Sequence, residues 1–200
     1  MNGILNYFLP IYFIFFFGLA FVWRSYLVWK TTGVNPYKLG NTESAHDYIG
    51  VLFRIVLAGC VVVVILYTSL SEGYKFLVPI VWLNHPILIW IGIALLVISL
   101  VWILIAQKDM GRSWRIGVDA YIKTDLIQGG LFSVSRNPIF LGMRLMLIGF
   151  FLVLPNAITF AIWVLGDVLM QIQVRLEEAH LREFQGDLYN AYASRVRRWL

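Results

Sequence analysis

The sequence predicts an all-α integral membrane protein of about five transmembrane helices, and its composition and the lengths of its apolar runs are the main reasons. Of its 200 residues, 60% are hydrophobic and 14% are charged, which departs strongly from the composition of a soluble domain. The apolar residues also lie in long runs. A run of about 20 residues crosses a hydrocarbon core of about 30 Å as a helix. The lipid bilayer is therefore the expected partner of most of the surface.

The apolar runs place the spans along the chain. Five runs predict membrane helices: 4–23, 48–70, 87–106, 139–154 and 157–174. The last two are separated only by Pro155 and Asn156, which predicts a tight helical hairpin. The apolar run 76–83 is too short to cross, so we expect an interfacial segment there.

Beyond residue 174 the chain becomes polar but keeps a helical pattern. We therefore expect the fifth helix to leave the membrane and to end near Gly186. A final amphipathic helix should follow and run to the end of the sequence, where Arg197, Arg198 and Trp199 suit an anionic headgroup layer.

The distribution of basic residues predicts the orientation in the membrane. Lysines and arginines follow the first, third and fifth predicted helices: Arg24, Lys30, Lys38, Lys108, Arg112, Arg115, Lys123, Arg136, Arg175, Arg182, Arg195, Arg197 and Arg198. The positive-inside rule then places the N-terminus outside and the C-terminus in the cytoplasm. The net charge of +5 is accounted for by these flanking positions, and no nucleic-acid partner is predicted. The compact length favours a bacterial inner membrane.

Two ionisable residues inside the predicted hairpin are expected to pair. Arg144 and Asp167 are equally far from the turn at Pro155 and Asn156, so they should lie at similar depth on antiparallel helices. A charge in the membrane costs about 2.5 to 3.5 kcal/mol and needs a partner. Two interpretations stay open: an ion pair that fixes the register of the hairpin, or a direct contact with a ligand.

A second group of charges lies at the predicted cytoplasmic boundary. Asn137 and Pro138 suit the N-cap and the first position of the fourth helix. Arg136 gains nothing from the dipole at a helix N-terminus, which indicates an anionic partner. Glu177 and Glu178 are two carboxylates near the same boundary, where Arg136 could lie close to them, although adjacent acids are also typical of a solvated helix surface. The three histidines have no metal-ligand spacing, and no metal site is predicted.

The spacing of residues 167, 171, 174 and 178 is typical of one face of the fifth helix. Asp167, Gln171, Val174 and Glu178 should therefore form a stripe that faces protein and leads from the membrane interior to the acidic pair.

Several segments between residues 111 and 200, in this order, resemble the isoprenylcysteine carboxyl methyltransferase and phospholipid methyltransferase superfamily of integral membrane enzymes. They are Gly-Arg-Ser-Trp-Arg at 111–115, Leu-Ile-Gln-Gly-Gly-Leu-Phe at 126–132, Arg-Asn-Pro-Ile-Phe-Leu-Gly at 136–142, and Glu177, Glu178, Leu181, Gly186, Tyr189, Tyr192 and Val-Arg-Arg-Trp at 196–199. The chain departs from the family pattern at Asn137, where histidine is usual, and at Phe140, where tyrosine is usual. It departs also at Gln185, where an aromatic residue usually precedes the glycine.

The resemblance implies an S-adenosylmethionine pocket on the cytoplasmic side. It implies catalytic roles for Arg136 and Glu178. The implied cofactor-binding residues are Gln128, Gly130, Phe132, Arg136, Asn137, Pro138, Phe140, Gly142, Glu177 and Glu178. We expect Trp114 of the first motif, together with Arg144 and Asp167 of the hairpin, to bind the substrate. The chain would then divide into a three-helix membrane region at 1–106 and a catalytic region at 107–200, within one membrane domain.

The implied activity is transfer of a methyl group to a membrane-embedded or hydrophobic, lipid-like acceptor through a carboxyl, amine or thiol group. Two other hypotheses stay open. One is an NADPH-dependent reductase, because membrane sterol reductases resemble this superfamily in their C-terminal architecture. The other is a noncatalytic transporter or scaffold in which Arg144, Asp167 and Gln171 form a polar path.

Overall fold

The computed structural model describes residues 2–33, 45–111, 114 and 126–200. These residues form helices and contain no β-strand, which confirms the predicted class. The helices are α1 (Asn2–Phe17), α2 (Arg24–Thr32), α3 (Ala45–Ser69), α4 (Ser71–Tyr74), α5 (Pro86–Met110), α6 (Pro138–Val153), α7 (Ala157–Gln185) and α8 (Asp187–Arg195). Four described helical stretches are long and apolar enough to cross a membrane, and α6 is a shorter apolar helix beside them.

The first span is longer than predicted. A π-helical turn over Gly18–Trp23 joins α1 to α2 without a break, so the helix extends over Gly3–Thr32. The expected end at residue 23 was wrong, because the polar residues that follow the apolar run continue the helix instead of ending it. The helix stops at Gly33, which adopts a positive φ of 68° and donates its N–H to the carbonyl of Trp29.

Helices α5 and α6 pack closely because glycines lie where they meet. A Cβ atom at Gly149 would lie 2.9 Å from the carbonyl oxygen of Gly92, and one at Gly142 would lie 2.5 Å from Cγ1 of Ile103. Small residues let the backbones of membrane helices approach each other in this way. The pair forms the frame from which the charged residues at the start of α6 project.

The predicted hairpin is present and its turn is well bonded. Asn156 precedes α7 and accepts hydrogen bonds from the backbone N–H groups of Ile158 at 3.0 Å and Thr159 at 2.9 Å. Its own N–H donates to the Thr159 hydroxyl at 3.2 Å, which completes a capping box. The segment before α5 joins this turn: the N–H of Ile80 donates to Pro155 O at 2.8 Å, and the N–H of Ala157 donates to Val78 O at 3.1 Å.

The segment 76–83 does not form a span. It folds as short 3₁₀ turns, Lys75–Leu77 and Val81–Leu83, and three of its large side chains are mostly exposed: Phe76 at 86%, Val81 at 77% and Trp82 at 81%. An apolar surface of this kind suits a lipid interface. The interfacial position itself stays a prediction.

The C-terminal part follows the predicted pattern until residue 195. Helix α7 continues through the polar residues to Gln185, Gly186 has a φ of 52°, and α8 follows. The final helix was expected to reach the end of the sequence. It stops at Arg195, and residues 196–200 leave it to contact α6 and α7 instead, as described below.

One end of the bundle contains the last residues of α2 and α5, the first residues of α6 and the polar part of α7. We call it the polar end. The basic residues Lys38, Arg112, Arg115 and Lys123 used for the topology prediction lie outside the described residues. The cytoplasmic location of the polar end and the division at residues 106 and 107 stay predictions.

Candidate functional site

Glu178, at the polar end of α7, is the centre of a buried charge cluster. Its side chain is 2% exposed. Arg198 donates from Nε to Oε1 at 3.0 Å and from Nη2 to Oε2 at 2.9 Å. Arg136 Nη2 donates to Oε2 at 3.2 Å, Asn137 Nδ2 donates to Oε1 at 3.2 Å, and Arg182 Nη2 lies 3.9 Å away. The anionic partner expected for Arg136 is therefore the carboxylate of Glu178.

The residues after α8 hold this cluster together. The backbone N–H of Arg136 donates to the carbonyl of Arg197 at 2.9 Å, and its Nη1 donates to the carbonyl of Ala193 at 2.9 Å. The hydrogen bond to Glu178 raises the pKa of the Arg198 guanidinium. Residues 196–200 do not continue α8, so the side chain of Arg198 can contact Glu178 on α7. Sequence reasoning placed Arg198 at the lipid headgroups and missed this contact.

Asn137 does not cap α6 with its side chain, as was expected. It occupies the N-cap position, but its Nδ2 group donates to Glu178 and to the carbonyl of Arg198 at 3.3 Å. Its backbone N–H donates to the hydroxyl of Ser135 at 3.2 Å. A hydrogen bond to a buried carboxylate is stronger than one to a neutral backbone group. This explains why the Asn137 side chain bonds to Glu178 instead of capping α6.

Arg144 and Asp167 form the predicted ion pair, with 2.5 Å between Nε and Oδ1. Both side chains are partly exposed, at 26% and 30%. The guanidinium also lies 4.5 Å from the ring centroid of Trp199, a cation–π contact that the sequence did not predict. The pairing is confirmed, and a role of these residues in substrate binding stays a prediction.

Glu177 and Glu178 are adjacent, but their partners differ. Glu177 accepts a hydrogen bond from Gln173 Nε2 at 2.8 Å, one turn earlier in α7. The four hydrogen bonds to Glu178 occupy the usual capacity of a carboxylate, which is about four. Of the two acids, Glu177 therefore has more capacity left for an added ligand.

Three buried polar atoms near these acids have no hydrogen-bond partner among the described residues: Arg136 Nε, Gln173 Oε1 and the hydroxyl of Tyr189. The side chain of Tyr189 is almost fully buried, and burial raises its pKa, so the hydroxyl stays protonated. Unpaired buried polar groups are costly and are normally satisfied. A ligand that carries a carboxylate and an amino group would satisfy such a set of donors and acceptors, so these residues fit the amino-acid part of S-adenosylmethionine.

The predicted residues in 126–132 pack against α5 and α8. Asp109, at the end of α5, accepts a hydrogen bond from the N–H of Leu131 at 2.8 Å. Tyr192 donates its hydroxyl proton to the carbonyl of Phe132 at 2.7 Å, and Arg195 donates to Gln128 Oε1 at 3.3 Å. Burial raises the pKa of Tyr192 to about 12, so this donor is protonated at neutral pH.

Gly130 is required by this arrangement, which leads to a test. Its φ is +59°, and a Cβ atom there would lie 2.1 Å from Oδ2 of Asp109. Gly130→Ala should therefore lower the free energy of unfolding by about 1 to 3 kcal/mol. Gly129→Ala is the matched control, because no atom lies within 4 Å of its added Cβ and its φ is −94°. Equal unfolding midpoints of the two variants in detergent would contradict this account.

Pro138, Phe140 and Gly142 contact neighbouring helices. The Pro138 carbonyl accepts a hydrogen bond from Trp102 Nε1 at 2.8 Å, and the Phe140 ring lies 6.5 Å from the Phe53 ring. Gly142 faces α5. Close packing against Ile103 explains the glycine at position 142, and a contact of the three residues with a cofactor stays a prediction.

Trp114 is buried and lies against Arg24, whose Cζ atom is 6.0 Å from the ring centroid. The sequence assigned Arg24 to topology alone. The neighbouring Arg112, Ser113 and Arg115 of the same motif lie outside the described residues.

Helices long enough to cross a membrane that bring a buried carboxylate and several arginines together at one end define a multi-span membrane protein with a buried charge cluster. Comparison with family models narrows the class. A model described as phospholipid methyltransferase matches residues 87–187, half of the chain. The chain therefore belongs to the phospholipid methyltransferase family, as its motifs indicated. No curated protein and no solved structure gave a significant match.

The matched residues run from α5 to the start of α8 and contain Arg136, Asn137, Glu177 and Glu178. Arg198 and Trp199 lie beyond the match. The family implies a methyltransferase that acts on lipid-like substrates.

Proposed function

We propose that the protein transfers a methyl group from S-adenosylmethionine to a lipid-like acceptor held in the bilayer. The observation that carries this proposal is the set of unpaired buried atoms beside Glu178, which lies within the residues matched by the family. Their donors and acceptors suit an amino acid, and the polar end is where a water-soluble cofactor can reach the membrane.

Within this proposal the two acids differ in role. Glu177 receives the amino group of the cofactor, because Glu178 is already saturated by its own chain. Arg136 Nε and the hydroxyl of Tyr189 bind the carboxylate. Glu178 is a positioning residue, since it fixes the side chains of Arg136 and Asn137 before the cofactor binds.

The bound cofactor would supply a methyl group on a sulfonium, which is electrophilic without help from a metal or a base. The protein then has to align the acceptor and keep water out. Asn137 cannot act as a general base, because an amide does not titrate. A carboxylate or thiolate acceptor needs no strong base, and an amine acceptor must be bound in its neutral form.

Isothermal titration of the protein in detergent tests the cofactor site. S-adenosylmethionine should bind the wild type, and Glu177→Gln should weaken binding about tenfold, as expected for the loss of one charge-assisted hydrogen bond. Glu183→Gln is the matched control, because Glu183 lies on the same helix and is exposed. NADPH should not bind. Lack of S-adenosylmethionine binding by a folded sample, or binding of NADPH instead, would overturn the proposal.

A transfer assay identifies the acceptor. Membrane lipid extract is incubated with the protein and methyl-labelled S-adenosylmethionine, and the products are separated by mass spectrometry. Label should appear in a lipid fraction with the wild type and be lost with Arg136→Gln. Binding without transfer to any fraction would retain the cofactor site and exclude a lipid acceptor.

A further inference from the structure

Arg24 lies outside the residues that match the family and has an incomplete set of partners. Its Nη2 donates to the carbonyl of Gly111, and its guanidinium packs over the Trp114 ring at 6.0 Å. Its Nε is buried and has no acceptor among the described residues. The Trp114 ring thus covers one face of the guanidinium and the Gly111 carbonyl binds Nη2, while Nε is an unused donor.

The arginine also lacks a counter-ion in the described part of the chain. Two other arginines with buried or partly buried side chains have one: Arg136 contacts Glu178, and Arg144 contacts Asp167. A partly buried cation without an anion carries an uncompensated desolvation cost. An external anion would remove that cost.

Gln107 of α5, one helical turn before Gly111, has an unused acceptor that complements the unused donor of Arg24. Its Nε2 donates to the carbonyl of Ala20, inside the π-helical turn, at 2.8 Å, while its Oε1 is buried without a partner among the described residues. The contacts of Ala20 with Gln107 and of Arg24 with Gly111 advance by four residues on both helices. The two contacts are therefore about one helical turn, or about 5 Å, apart along the helices, and each involves a side chain with an unused polar atom.

Exposed aromatic residues indicate that this site is at the level of lipid headgroups. Trp23, Tyr26 and Trp29 are 53%, 44% and 55% exposed, and their ring centroids follow each other at 5.8 and 6.4 Å. Such aromatic belts mark the boundary between hydrocarbon and water. Lys30 adds a second cation, with Nζ 5.9 Å from the Tyr26 ring.

We propose that Arg24, Gln107 and Trp114 form a binding site for a phosphate ester that carries a neighbouring hydroxyl or amino group. Arg24 binds the phosphate oxygens with Nε and its charge, Gln107 Oε1 accepts a hydrogen bond from the hydroxyl or amino group, and Trp114 holds the guanidinium in place. The site shares no residue with the Glu178 cluster and does not depend on methyl transfer.

Native mass spectrometry of the full chain in neutral detergent tests the proposal with two probes, dihexanoyl phosphatidylglycerol and glycerol 3-phosphate. The wild type should bind one equivalent of at least one probe, and Arg24→Gln should bind it about tenfold more weakly. Arg175→Gln is the control, because Arg175 is exposed and its hydrogen bonds to described residues lie within its own helix. Preference for the lipid identifies a headgroup, and equal binding of the two probes identifies a free phosphate ester. Equal binding by Arg24→Gln and the wild type would overturn the proposal.

A second variant guards against a folding defect in Arg24→Gln. Gln107→Leu keeps the arginine and removes the acceptor, so it should still bind phosphate and lose the preference for dihexanoyl phosphatidylglycerol over dihexanoyl phosphatidylcholine, which lacks a donor in its headgroup. A preference that persists in Gln107→Leu would contradict the assigned role of the amide.

Discussion

Glu178→Gln should destabilise the protein by about 3 to 5 kcal/mol, the cost of removing one partner from a buried ion pair. The carboxylate accepts hydrogen bonds from Arg136 and Arg198, and its side chain is 2% exposed. Glutamine keeps the shape but loses the charge, so two guanidinium groups would face each other with no anion between them. The measurement is the free energy of unfolding in detergent, followed by circular dichroism.

Glu183→Gln serves as the control for this substitution as well, because an exposed residue of the same helix should change stability by less than about 0.5 kcal/mol. A loss below about 1 kcal/mol for Glu178→Gln would show that the cluster is hydrated and contributes little. Pairing Glu178→Gln with Arg198→Gln should restore part of the loss, since it removes one of the uncompensated cations.

Arg144→Met should cost about 2.5 to 3.5 kcal/mol, because it leaves the carboxylate of Asp167 without its counter-ion between two membrane helices. The double variant Arg144→Met with Asp167→Leu should recover most of this loss, because a neutral apolar pair avoids the desolvation of two charges. A double-mutant cycle of unfolding free energies measures the coupling.

The same cycle separates the two interpretations of the pair. If it only fixes the register of the hairpin, the double variant should keep methyl transfer. Full stability with lost activity would assign the pair to the substrate. Additive effects of the two single substitutions would contradict direct pairing.

The helices could be predicted from sequence because hydrophobic length is a physical requirement of the bilayer. The hairpin could also be placed, since Pro155 and Asn156 interrupt one apolar run and Asn156 begins the next helix with a capping box. The end of the first span could not be predicted, because the helix continues through the polar residue Arg24. Local polarity does not distinguish a helix end from a helix that leaves the membrane.

The candidate site was predicted in part. The pairing of Arg144 with Asp167 followed from their distance to the turn, and the position of Arg136 at a helix N-terminus indicated an anionic partner without identifying Glu178. The roles of Arg198 and Trp199 depend on how the chain turns after α8, and that fold-back has no signature in the residues themselves. For the same reason Asn137 was assigned to a cap, because its spacing could not show a buried carboxylate beside it.

The contact between the hairpin turn and residues 78–80 bears on how the short helix α6 fits a bilayer. A helix of 16 residues is about 24 Å long, which is less than the hydrocarbon thickness. Ordinarily this mismatch would thin the bilayer or pull water towards the turn. Here the carbonyl of Pro155 and the N–H of Ala157 are already satisfied by the neighbouring segment. These two backbone groups of the turn therefore need no water, so a bilayer thicker than α6 would not have to thin on their account.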